Sequence, residues 1–196
     1  MDKFFANLWL VVMIGFGLAI ILIALPDYAI APGVTSSGMA TGVLQWLHVV
    51  FGIMWIGLLY YFNFVQTPVM PAIPAELKPG VSKHIAPAAL FYFRWAAALT
   101  VLAGLVLAWS YHELIEVITF KEGYRLLSIG VYLGLIMAFN VWFIIWPNQK
   151  KALGIVTVTP EEKTKAARTA MLTSRINTML SIPMLFCMVA QQNGGL

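Results

Sequence analysis

The sequence predicts an all-α integral membrane protein: a single membrane domain built as a bundle of five transmembrane helices, amino terminus cytoplasmic and carboxyl terminus outside. Three observations carry this. Of 196 residues, 61% are hydrophobic and only 10% charged, well below the roughly 25% charge of soluble domains. The apolar residues gather into runs near the roughly 20 residues that cross a bilayer as helix. The strict polar–apolar alternation of a membrane barrel is absent, and backbone groups in lipid must bond internally, so the runs are helices.

The first run, about 8–25, follows Asp2 and Lys3. A cleaved leader would place its cleavage near Ala29 or Ala31, but the apolar stretch exceeds the roughly 7–15 residues of such a leader. It is therefore expected to stay as a span. The others cover about 43–66, 88–111, 126–146 and 174–191. Before the last, Thr159-Pro160-Glu161-Glu162 has the form of a helix start: a capping hydroxyl, proline at the first helical position, and a glutamate three residues after the cap. A cytoplasmic helix over about 160–173 should run into the fifth span, kinked near Pro183.

Positive charge sets the orientation. Lys3, the second loop (Lys78, Lys83) and the fourth (Lys150, Lys151, Lys163, Lys165, Arg168) share one side of a five-span chain. The first loop has no Lys or Arg, the third has Lys121 beside Arg125, and the end from Gln192 is uncharged. Basic loops stay cytoplasmic. The net charge of +4 is too small and dispersed for nucleic-acid binding. Cys187, the one cysteine, rules out an intrachain disulfide or a CxxCH haem attachment within these residues, and reads as a small buried hydrophobe.

Two helices carry small residues every fourth position: Gly130, Gly134, Ala138, and Ala96, Thr100, Gly104, Ala108. Such stripes let helix backbones approach closely in lipid. Polar residues at membrane depth carry the functional question. His48 shares a face with Gly52, Trp55, Leu59, Asn63 and Gln66, all within about 60° of one direction. Near the cytoplasmic ends lie Arg94, Asn140, Arg175 and Asn177. With Asn63 and Gln66 they form one hydrogen-bonded cluster, an anion-accepting pocket, or a set of interhelical bonds and snorkelling arginines. His48 admits four roles: haem ligand, copper ligand, proton carrier or packed hydrogen-bonding group. Haem b suits a helical bundle, with Gly52 and Trp55 against a flat ring. His112 is the second candidate ligand on the same side, whereas His84 lies on the other. No carboxylate lies within a span, which opposes a paired-acid proton relay.

The run Leu47-His48-Val49-Val50-Phe51-Gly52-Ile53-Met54-Trp55-Ile56-Gly57 resembles the first motif of the membrane domain of cytochrome-c-type urate oxidase, also called urate hydroxylase. It also resembles the motif of haem-binding membrane proteins of the protoporphyrinogen-oxidase type. Three further stretches resemble the urate oxidase family in order: Phe93-Arg94-Trp95-Ala96 with Thr100 and Gly104; Asn140-Val141-Trp142 through Ile145-Trp146-Pro147-Asn148-Gln149-Lys150; and Ser174-Arg175-Ile176-Asn177 with Ser181 to Phe186. The family joins such a domain to a cytochrome c. The resemblance implies a short form without that domain: an oxidoreductase subunit passing electrons from a purine-like substrate to a separate c-type cytochrome. Where the family often has histidine before the asparagine, this chain has Ile176.

Two functions follow. One is a urate-oxidase-like, haem-binding membrane subunit; the other is a non-catalytic accessory subunit of a larger complex, such as a respiratory assembly or a copper membrane monooxygenase. A small-solute transporter is disfavoured by the lack of an inverted repeat or paired broken helices. Either leading function implies a bacterial inner membrane, cytoplasmic or intracytoplasmic, with lipid and other membrane subunits as partners.

Overall fold

The computed structural model describes residues 7–24 and 36–192. Lys3, the end of the first run at Leu25, the alanines at 29 and 31, and the last four residues lie outside them. The described residues are helical, without strands. The chain divides into two units, Met1–Val43 and Leu44–Leu196.

In the first unit, α1 spans Leu8–Ala24, 17 apolar residues. Asn7 starts it by accepting the Leu10 N–H on its side-chain oxygen at 3.2 Å, satisfying one of the donors a helix start leaves free. Leu8, Trp9, Met13, Leu18 and Ile20 are exposed on it. At 17 residues it is at the short end of bilayer-crossing lengths. The next helix, α2, begins at Ser36, still in this unit.

The second unit holds the remainder of α2, which continues to Ala72; α3, Lys78–Ser110; the short α4, Leu114–Ile118; α5, Arg125–Ala152; and α6, Pro160–Gln192. Four helices (α2, α3, α5 and α6) are long and apolar enough to cross a membrane. The links at 73–77 and 153–159 lie at one end of this unit and 111–124 at the other. Gln191 Nε2 donates to Gly123 O at 3.5 Å, which sets the end of α6 beside the 111–124 link. Lys78, Lys83, Lys150, Lys151 and Lys163 therefore gather at one end, as the loop charges imply.

The helices outrun the expected ends at about Gln66 and Ala88. Each contains a π-helical turn, at Tyr61–Gln66, Val81–Ile85 and, in α5, Asn140–Ile145. Each turn stops two residues before a proline: Pro68, Pro87 and Pro147. Proline has no N–H and its ring collides with the carbonyl four residues back. Widening the preceding turn moves that carbonyl aside. At each site the residue before the proline donates to the carbonyl five residues back: Thr67 to Phe62, Ala86 to Val81, Trp146 to Val141. The prolines are absorbed, and the helices continue.

Other ends follow local chemistry. The expected capping box at α6 forms: Thr159 Oγ1 accepts the Glu162 N–H at 3.2 Å, and Thr159 N–H donates to Glu162 Oε2 at 3.3 Å. From there α6 runs 33 residues with Pro183 inside it and no widened turn. At the end of α3, Glu113 N–H bonds Ala108 O and His112 N–H bonds Trp109 O, both at 2.9 Å. These are the paired bonds of a Schellman stop, and they hold His112 at φ 59°.

The core joins Trp55, Leu59 and Phe62 of α2, Phe93, Ala96 and Ala97 of α3, Met137, Val141 and Ile145 of α5, and Met184 of α6. Phe62 and Phe93 meet edge to face with centroids 5.6 Å apart. Gly130 is buried where α5 meets α6: a methyl group there would lie 2.8 Å from Cys187 Cβ. This is the close approach expected of the small-residue stripe. Gly134 is also buried, yet a methyl group there would touch nothing within 4 Å. Cys187 is buried, as expected of a small hydrophobe.

Candidate functional site

His48 lies on α2, half-buried against α3. Its Nδ1 is 2.8 Å from Thr100 O. A carbonyl only accepts, so Nδ1 carries the hydrogen and donates it, and in the neutral ring Nε2 holds the lone pair. Gly104, one turn beyond Thr100, makes room for the ring. A Cβ on Gly104 would lie 2.8 Å from His48 Cε1 and 3.0 Å from Nδ1. The α3 stripe was expected to bring backbones together; at Gly104 it instead seats an imidazole, because a missing side chain opens the backbone to whichever group reaches it. A Cβ on Gly52, one turn along α2, would lie 3.8 Å from the Thr100 methyl group, Cγ2. Trp55 is 2% exposed, and its Nε1–H has no partner among the described residues.

His112 stands apart. It is exposed at the stop of α3, eight residues or about 12 Å of helix rise beyond Gly104. Its backbone role is to turn the chain.

The polar residues near the lysine-rich end separate into three groups. Asn140 Nδ2 donates to Asn177 Oδ1 at 2.8 Å, and Asn177 Nδ2 donates to Met137 O at 2.9 Å, joining α5 to α6. Asn63 Nδ2 donates to Leu59 O and to Ser174 Oγ, both at 2.8 Å, joining α2 to α6. Arg94 lies with its guanidinium carbon 3.9 Å from the Trp146 ring centroid and 5.3 Å from that of Phe91. Its backbone carbonyl accepts the Trp142 indole N–H at 3.1 Å. Arg175 is exposed, and Gln66 Oε1 is buried without a partner among the described residues.

Sequence reading named Ser174 and Ser181 in the resemblance without giving either a partner. Ser181 donates to Thr178 O at 2.7 Å, so the Tyr60 hydroxyl, 3.0 Å away, donates to Ser181. Ser174 and Ser181 lie three residues before and four after Asn177, on one face of α6, and that spacing was the available signal. Trp146 and Trp142 were noted only as motif letters; their contacts with Arg94 depend on how α3 and α5 pack.

Searches of curated proteins and of solved structures returned no match for this chain. Residues 115–194, which carry the Asn140–Asn177 lock and the tryptophans beside Arg94 but neither His48 nor Arg94, match the family model described as urate oxidase N-terminal, and it is to that family that this part of the chain is similar.

Proposed function

We propose that this protein is a urate-oxidase-like membrane subunit of an oxidoreductase. In this reading His48 is its candidate haem ligand, and electrons pass on to a separate c-type cytochrome. The likeness rests on the family match over residues 115–194, and the observation that carries the haem-ligand reading is the His48–Thr100 bond. A ligating histidine characteristically donates its other ring N–H to a carbonyl, which fixes the tautomer and raises the basicity of the ligating nitrogen. His48 has that arrangement on a half-buried site of α2. If haem binds, His48 is the residue of this chain that would hold it; His112, about 12 Å of helix rise further along α3, would not share that site. A haem held there supplies one-electron chemistry. The chain's own contribution is to hold the ring through Thr100, seat it on Gly104, and keep it within the helix packing.

The reading further places the chain in a bacterial inner membrane, lysine-rich end in the cytoplasm and carboxyl terminus outside. A reporter fused after Leu196 should be active outside; activity only in the cytoplasm would overturn that orientation.

The second reading, a non-catalytic accessory subunit, draws support from the polar residues. The Asn140–Asn177 and Asn63–Ser174 bonds each join two helices and do not converge on a common pocket. An optical spectrum of the purified protein, oxidised and then reduced, separates the two. Sharp reduced bands that vanish in His48→Ala, with the protein still in the membrane, support the haem subunit. A featureless visible region, with His48→Ala only modestly less stable, supports the accessory role.

A further inference from the structure

A site at the lysine-rich end belongs to neither reading. Arg94 springs from α3 at a depth where a charge facing lipid is costly. Side chains on a helix lean toward its amino terminus, and that end of α3 is the lysine-rich one. The guanidinium follows this lean: NH1 points back to Leu90 O, one turn earlier, at a long 3.5 Å. It comes to rest on Trp146, with Phe91 beside it. Trp146 is 21 residues, or about 32 Å of rise, from the start of α5 at Arg125. That is the thickness of the hydrocarbon core, so the indole lies at the headgroup level that tryptophan favours. Lys150, one turn further, brings Nζ to 5.7 Å from the same ring centroid.

Two cations thus share one indole, and among the described residues no carboxylate forms an ion pair with either. Among the described residues one ion pair forms, Lys121–Glu116, near the opposite end. At the lysine-rich end Glu162 is turned onto Thr159 N–H, Glu161 is exposed at the start of α6, and Glu76 is exposed in the 73–77 link. The Arg94 guanidinium has five N–H donors and one long bond to use them. A planar donor fork and an ammonium that both contact one indole suit an oxyanion with several acceptor oxygens.

We propose that Arg94 and Lys150, gathered over Trp146, form a binding site for a phosphate-class oxyanion at the membrane surface, supplied by an anionic lipid headgroup or as free phosphate. Trp142 positions Arg94 by holding its backbone carbonyl.

The test uses the full chain in neutral detergent and measures binding of phosphatidylglycerol, phosphatidylcholine and inorganic phosphate by native mass spectrometry and thermal shift. Two cations at the surface favour the anionic lipid over the zwitterionic one by about thirtyfold, about fivefold each. That preference should fall to about twofold or less in the double variant R94Q/K150Q and persist in K163Q/K165Q, which removes two other lysines of the same end. Phosphatidylglycerol binding without phosphate binding identifies a lipid source; phosphate binding lost in R94Q/K150Q identifies a free one. If R94Q/K150Q does not fold, K150Q alone should lower the relevant affinity about fivefold. The proposal is overturned if neither ligand distinguishes the wild type from these variants, or if K163Q/K165Q loses as much.

Discussion

Gly130 and Gly134 occupy the same stripe of α5, and the structure assigns them opposite responses to one added methyl group. At Gly130 the new Cβ would lie 2.8 Å from Cys187 Cβ, 3.4 Å from Met188 Cε and 3.5 Å from Met184 O. The Met188 methyl can swing away, and the carbonyl is at ordinary contact. Cys187 Cβ cannot yield, because it is fixed to the α6 backbone. Carbons rest at about 3.5–4.0 Å, so α5 and α6 must separate locally by about 1 Å. Overpacking of this kind costs about 1–3 kcal/mol. Replacing a helical glycine by alanine returns about 1 kcal/mol, so Gly130→Ala should lose a net of up to about 2 kcal/mol. At Gly134 there is no contact to offset the gain, and Gly134→Ala should be neutral or stabilising by up to about 1 kcal/mol. Unfolding in mixed micelles of mild and denaturing detergent, followed by circular dichroism, reads both. Cys187→Gly removes the blocking carbon, so Gly130→Ala should cost less in that background, with a coupling of about 1 kcal/mol. Equal stabilities for the two alanine variants, or no coupling to position 187, would show that Gly130 is not the point of closest helix approach.

Three further substitutions probe the other assignments. Gly104→Ala should push the His48 ring off Thr100 and lower stability by about 1–3 kcal/mol, seen as a changed Nδ1 proton signal by nitrogen-15 NMR; an unchanged signal would mean the ring does not rest on Gly104. Asn177→Ala leaves Asn140 Nδ2 and Met137 O without their partner and should cost about 1–2 kcal/mol, with a much smaller further loss when Asn140→Ala is added; fully additive losses would refute the shared lock. His112→Gly relieves a left-handed backbone and should stabilise by up to about 1 kcal/mol, leaving any haem spectrum unchanged; lost reduced bands would make His112 a ligand rather than a turn.

Much was legible in the sequence because its causes are local or periodic. Long apolar runs dictate helices, since lipid offers the backbone no other partner. Thr159 and Glu162 close their capping box through bonds three residues apart, so the start of α6 could be read directly. The loop lysines fall at one end because the number of crossings between them settles which side each occupies. The π turns before Pro68, Pro87 and Pro147 were foreshadowed by the prolines, but whether a proline ends a helix or is absorbed depends on the packing around it. The partners of the polar residues belong to tertiary structure alone. Asn140 meets Asn177, Asn63 meets Ser174, and Arg94 meets Trp146 across three different helix pairs, and periodicity gives each residue's face without naming the helix opposite. The same limit separates Gly104 from Gly130. Both present a bare backbone in a small-residue stripe, but one receives a histidine ring and the other a neighbouring helix, because the absence of a side chain specifies only a space, and the rotation and register of the facing helix determine what fills it.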